Sequence, residues 1–266
     1  MTEKQVPVAL TIAGSDPSGG AGIQSDLKTF SRLRVYGMAV IAALTAQNTT
    51  GVWSVEGIDS EFLAKQLDAV LSDIPPGAVK TGMLLTKEAV EIVAQKVRQY
   101  RLMNFVVDPV MVSTSGSILL NSDAMLSFRR TLLPLAFLIT PNLAEAQALT
   151  GKTVETVEEM EQAALEIHGL GAMNVLIKGG HGKGDEATDV FFDGKDCVHF
   201  RSPRIRTSHT HGTGCVLSAA ITAHLALGNQ VQDAVKLGKD FVSEAIRNGL
   251  AIGRGTGPCD PLSLSV

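Results

Sequence analysis

The stretch HTHGTGCVLSAAI, residues 209–221, sets two glycines and one thiol ahead of an apolar run with the pattern of a buried helix. Gly212 and Gly214 reach backbone angles closed to other residues. The first turn of a helix carries N–H groups without intrahelical partners, and the positive end of the helix dipole adds to them. Such a point favours an anion, phosphate above all. If a phosphoryl group is transferred there, a carboxylate would be the ordinary general base, yet this chain offers Cys215.

Other polar residues stand at the ends of apolar runs. AGSDPSGGAGIQSD, residues 13–26, is glycine-rich but has no lysine followed by Ser or Thr, so it is not a Walker loop, and its glycine spacing is not that of a dinucleotide fingerprint. It reads as a turn before a helix; Asp16 and Asp26 point toward a ligand-contacting loop, and Asp26 could equally be a partner of the helix dipole. In VVDPVMVSTSG, Asp108 ends a strand that Pro109 breaks, so it either caps a turn or faces a ligand or cation. In ITPNLAEAQAL, Asn142 and Glu145 have the spacing of a capping box, and the same pair could hold hydrated magnesium beside a nucleotide phosphate. Lys178 in LIKGGHG is either solvated surface or the local positive charge that an acidic chain otherwise lacks. His181, His209 and His211 show no zinc spacing and read as loop histidines.

The elements that must position these residues alternate along the chain. VALTIAG, AVIAALTAQ, NFVVDPVM, AFLITPN and NVLIKGG are continuously apolar and read as buried strands. Between them IQSDLKTFSRL, DSEFLAKQLDAVLSD, TKEAVEIVAQKVRQY and TVEEMEQAALEIHGL carry apolar residues at helical spacing. The alternation predicts an α/β fold, a mostly parallel sheet with helices on both faces, with ligands beyond the carboxyl ends of the strands. ATDVFFDG and CVHFRSP predict a hairpin around Asp193 and Gly194, and two long helices follow. With 266 residues and 45% hydrophobic content we expect one domain, 1–266. A net charge of -4 offers nothing to attract nucleic acid or an anionic membrane, and three scattered cysteines indicate neither a disulfide framework nor a metal cluster. The N-terminal apolar run is too short for a signal peptide, which predicts a cytoplasmic protein.

Seven stretches taken in order, ALTIAGSDPSGGAGIQSDLKTF, LTAQNTTGV, VKTGML, VVDPVMVSTSG, LITPNLAEA, VLIKGGH and HGTGC, resemble the hydroxymethylpyrimidine and phosphomethylpyrimidine kinases of thiamin biosynthesis, in the ribokinase superfamily. The resemblance implies a ribokinase-like fold and ATP-dependent phosphorylation of hydroxymethylpyrimidine and then of its monophosphate, with Mg2+. It implies an anion hole at Gly212, Thr213, Gly214 and Cys215, where fixed N–H dipoles stabilise developing charge. Cys215 is then either a general base, through a pKa lowered at the helix start, or a contributor of its N–H alone. By the same resemblance Lys178, Asn142 and Glu145 bind ATP, and Glu145 and Asp108 belong to the magnesium environment. Asp26 and Gln47 bond the pyrimidine nitrogens or amine, and Ala21, Met83 and Val110 supply apolar contact. Pyridoxal kinases of the superfamily share several motifs and often carry methionine where Gln47 stands, so a pyridoxal kinase is the nearest rival. A catalytically dead ligand-binding relative is a further one. Homodimers are common in the family, and a homodimer is expected here.

Overall fold

In this computed structural model, which describes residues 6–111, 122–180 and 184–263, the apolar runs pair into one sheet of nine strands. β1 (Val8–Ser15), β2 (Tyr36–Asn48), β4 (Ala78–Thr81), β5 (Phe105–Val107), β6 (Leu138–Ile139) and β7 (Val175–Ile177) are mutually parallel, in the order β2-β1-β4-β5-β6-β7. β3 (Gly51–Gly57) extends the sheet antiparallel beside β2. At the other edge β8 (Glu186–Phe192) and β9 (Cys197–Pro203) form the expected hairpin, with β8 antiparallel to β7.

Continuous apolarity in the central strands serves two packed faces. Val175 and Ile177 of β7 join a core with α2 (Ser60–Leu71), α3 (Lys87–Tyr100), α4 (Ser122–Ser127) and α6 (Val157–Gly169). Leu176, between them, faces the opposite core, built with α7 (Thr213–Ala226) and α8 (Val231–Arg247). α1 (Gly22–Arg32) lies beside α7 on that second face, where Phe30 meets Ala9, Ala219 and Ala223. This is period-two alternation with both phases apolar, which is why helices cover both faces.

α7 is apolar nearly all round and buried from Val216 to Ala223, because α1 and α8 flank it and β1, β4 and β5 lie under it. Gly238 lets α8 close on it, since a Cβ there would meet Ile221 Cγ1 at 2.7 Å. α5 (Leu143–Thr150) is short and starts at Asn142. β3 and β4 go beyond the strands expected from sequence. WSVEG lacks an apolar run because its strand sits half-exposed at a sheet edge, and β4 is only four residues long with a lysine inside it.

Candidate active site

The carboxyl ends of the parallel strands and the start of α7 enclose a cleft of about 1140 Å³. Gly212 caps α7 in the left-handed region, at φ 78°, and a side chain there would collide with the Gly20 carbonyl. This contact holds the β1–α1 loop against the α7 start. Gly212, Thr213, Gly214 and Cys215 all line the cleft, as do Ala21, Gln47, Met83, Asp108, Val110, Asn142, Glu145 and Lys178.

Lys178 follows β7, and its Nζ donates to Asp108 Oδ1 at 2.8 Å and lies 4.0 Å from Glu145 Oε2. Asp108 also accepts from Thr140 Oγ1 on Oδ1 and from Ser218 Oγ on Oδ2, at 3.0 and 3.1 Å. Burial alone would drive the Lys178 ammonium toward neutrality, but the Asp108 and Glu145 carboxylates outweigh it and hold the amine well above an ordinary lysine. The ammonium is thus not solvated surface: it faces Gly214, where an added Cβ would stand 3.4 Å from it. A fixed cation and the N–H groups of the α7 start therefore converge at one end of the cleft.

Asn142 and Glu145 do form a capping box. Glu145 N–H donates to Asn142 Oδ1 at 2.9 Å, and Asn142 N–H donates to Glu145 Oε2 at 2.8 Å. Burial lifts the Glu145 carboxyl to about 7, against the pull of Lys178. The capping reading is thus observed, and a buried acid with this much unrelieved desolvation has the chemistry that a cation would neutralise. Among the described residues no three His, Cys, Asp or Glu side chains gather as a metal cluster. That donor set suits magnesium, which keeps several waters and takes few protein carboxylates alongside phosphate oxygens.

Two expectations from sequence change. The thiol of Cys215 lies above the ordinary thiol range, not below it. Burial pushes it up to about 11, with Asp26 and Asp108 adding to the rise, while Lys80 and the Gly22 N–H only partly oppose. Asp26 does not line the cleft: it is fully buried, accepting from Lys80 Nζ at 2.7 Å and Thr11 Oγ1 at 2.6 Å. Asp26 serves behind the cleft as partner of a lysine that is 0% exposed. Burial works against the Lys80 ammonium, yet Asp26, Cys215 and Asp108 together hold it above the ordinary range. A lysine within the apolar strand AVKT was the sequence signal for this pair.

Gln47 on β2 and Met83 after β4 also line the cleft, beside the β1–α1 loop and His211. Met83 packs with Ala43 and Val110, and Gly14 leaves room for its Cε. Asp16 organises the loop: Oδ1 accepts from Ser18 N–H and Oγ, and Oδ2 accepts from Ala21 N–H. Burial opposes its ionisation, but the bonds from His211 and Ser18 hold its carboxyl below the usual range. His211, read from sequence as a loop histidine, is 7% exposed, lines the cleft and sits with Nε2 2.8 Å from Asp16 Oδ2. His181 lies outside the described residues, as does the STSG part of the Asp108 motif. A second buried ion pair at the cleft wall, Lys239 Nζ to Asp189 Oδ2 at 2.7 Å, was also missed. Its partners lie fifty residues apart, and only the fold joins them.

Known proteins share this architecture. The ADP complex of Bacillus subtilis pyridoxal kinase superposes with a TM-score of 0.89 at 40% identity, covering 96% of this chain and 97% of that one. A phosphomethylpyrimidine kinase from Clostridium difficile gives 0.81 at 44% identity, over 91% of this chain and all of that one. Among curated proteins, the hydroxymethylpyrimidine/phosphomethylpyrimidine kinase of Bacillus subtilis is 46% identical over 251 residues, 94% of this chain and 93% of the relative. The thiamine biosynthesis bifunctional protein ThiED of Geobacter sulfurreducens is 48% identical over 249 residues, 94% of this chain, which spans about half (51%) of that relative's length. The fold is thus that of the ribokinase-like kinases, and residues 16–260, which include every cleft residue discussed except those at the end of β1, match the family model described as phosphomethylpyrimidine kinase. The chain belongs to the phosphomethylpyrimidine kinase family.

Proposed function

We propose that the cleft transfers the terminal phosphoryl group of ATP to the hydroxymethyl group of hydroxymethylpyrimidine, and then phosphorylates the monophosphate to the diphosphate, in thiamin biosynthesis. The observation that carries this reading is that Gln47, a donor and acceptor suited to an aminopyrimidine edge, shares one cleft with Lys178 and the α7 start. Lys178 and the N–H groups of Gly212–Cys215 hold the phosphoryl oxygens as charge develops on them. The hydroxymethyl oxygen forms the new bond to phosphorus while the bond to the ADP oxygen breaks. Phosphoryl transfer of this kind is largely positioning and electrostatics. Cys215, protonated at neutral pH by its raised pKa, then contributes through its backbone N–H, and the hydroxyl proton leaves with the transferred phosphate.

Glu145 would hold magnesium together with nucleotide phosphates and water, while Asp108 tempers the charge as counter-ion of Lys178. When bound, the metal supplies charge neutralisation at the phosphates. The same reading carries a single domain that assembles as a homodimer in the cytoplasm; among described residues no helix is long and apolar enough to cross a membrane.

The 40% identity to a pyridoxal kinase of the same fold favours pyridoxal as the rival alcohol. Steady-state assays of the purified protein with ATP, Mg2+ and each alcohol separate the two. The higher specificity constant is expected for hydroxymethylpyrimidine, and a higher one for pyridoxal would overturn the assignment.

A further inference from the structure

The contacts of Gln47 contain a mismatch that fixes more than its presence in the cleft. Its Nε2 lies 3.4 Å from His211 Nε2, and its Oε1 lies 3.3 Å from Thr45 Oγ1. His211 Nε2 is also 2.8 Å from Asp16 Oδ2, a carboxylate oxygen that already accepts from Ala21 N–H. An ionised carboxylate only accepts, so the histidine nitrogen carries a proton directed at Asp16. A nitrogen that bears a proton cannot accept from the glutamine amide.

A half-turn about the Gln47 Cγ–Cδ bond exchanges the amide nitrogen and oxygen and resolves both contacts at once. The Gln47 oxygen then accepts from His211 Nε2–H, which is shared with Asp16. The Gln47 nitrogen then donates to Thr45 Oγ1, whose single hydrogen is committed to Ser15 O at 3.0 Å. After the half-turn each of these two contacts pairs one donor with one acceptor. Of the amide groups still unengaged, the second lone pair of the carbonyl lies on the His211 side and the second N–H on the Thr45 side.

We propose that Asp16 and His211 act as positioning residues that hold the Gln47 carbonyl on the His211 side, so that Gln47 reads a ring edge in one direction only: a donor, the exocyclic amine, near His211 and an acceptor, a ring nitrogen, near Thr45. This rests on the aminopyrimidine reading of the cleft. It assigns a specificity role to a histidine on the anion-hole loop, and it ties that loop to the substrate end through Asp16. Gly20 is part of the device, since a Cβ there would meet His211 Cδ2 at 2.5 Å.

The test compares hydroxymethylpyrimidine with its analogue lacking the exocyclic amino group. In wild type the amine should be favoured strongly, because a site built to bond a donor is left with an unpaired acceptor by the analogue. His211→Leu should lower the ratio of the two specificity constants by about tenfold, the worth of one hydrogen bond, whereas His211→Gln, which can place an N–H near the same point, should recover part of it. If His211→Leu depresses both compounds equally and leaves the ratio unchanged, as loss of a merely structural side chain would, the proposal is overturned. Nitrogen-15 spectra of the imidazole in the ligand-free wild type should show Nε2 protonated. An unprotonated Nε2 overturns the proposal whatever the substrate is, and this arm decides if the leucine variant does not fold. Absence of turnover with either pyrimidine in wild type would instead refute the kinase assignment while leaving the spectrum to judge the amide geometry.

Discussion

In the proposed function Glu145 ties the fold to the nucleotide chemistry, and Glu145→Gln measures that tie. The substitution keeps an oxygen to accept the Asn142 N–H, so the capping box survives while the titrating group is lost. The carboxyl rises from an ordinary 4.5 to about 7 through burial, so at pH 6 about 0.9 of the molecules carry its proton, and at pH 8 about 0.1. In the proposed chemistry, binding a magnesium–nucleotide complex needs the carboxylate. Calorimetric titration with preformed magnesium–ADP in buffers of differing ionisation enthalpy should therefore show wild type releasing about 0.9 proton more than Glu145→Gln at pH 6, and about 0.1 more at pH 8. Stability follows the same sign. Between about 4.5 and about 7 the unfolded chain has lost this proton and the folded chain keeps it, so as pH rises through that window wild type loses up to about 3 kcal/mol relative to Glu145→Gln. Equal proton release by the two proteins at pH 6 would refute the reasoning.

Cys215→Ser should keep turnover at pH 7 within about tenfold of wild type, because a thiol titrating near 11 is no base there; a fall of about two to four orders of magnitude would restore the base role. Lys80→Met strands the Asp26 carboxylate in the core and should cost about 3–5 kcal/mol in chemical denaturation, most of which Asp26→Leu in the same chain should return. If the double variant is no more stable than the single one, the two residues are not energetically a pair.

The parts of this protein that sequence made legible are those with local signals. Continuous apolar runs located β1, β2, β5, β6 and β7, and helical spacing located α1, α2, α3 and α6, because burial on two faces or one stripe writes itself into consecutive residues. Asn142 and Glu145 were visible as a pair for the same reason, being three residues apart on one helix start. What stayed hidden was made by the fold. Asp16 and His211 meet across 195 residues, and neither neighbourhood hints at the other. Asp26 looked like a loop carboxylate near a ligand, but α1 turns it inward onto Lys80, where β4 brings a lysine that the linear pattern could not pair with it. For Cys215 sequence left two readings open, base or backbone N–H; burial, which sequence does not display, raises the thiol and favours the second.

In the proposed function Lys178 and the α7 start hold the phosphoryl group in transfer to the pyrimidine alcohol. The most direct measurement is single-turnover transfer of labelled terminal phosphate from ATP to hydroxymethylpyrimidine by wild type and by Lys178→Met, with binding of the pyrimidine and unfolding followed in parallel. Wild type should transfer the phosphate and the variant should lose about two to three orders of magnitude in rate, with pyrimidine affinity little changed. Transfer at the wild-type rate by a folded Lys178→Met protein would contradict this assignment.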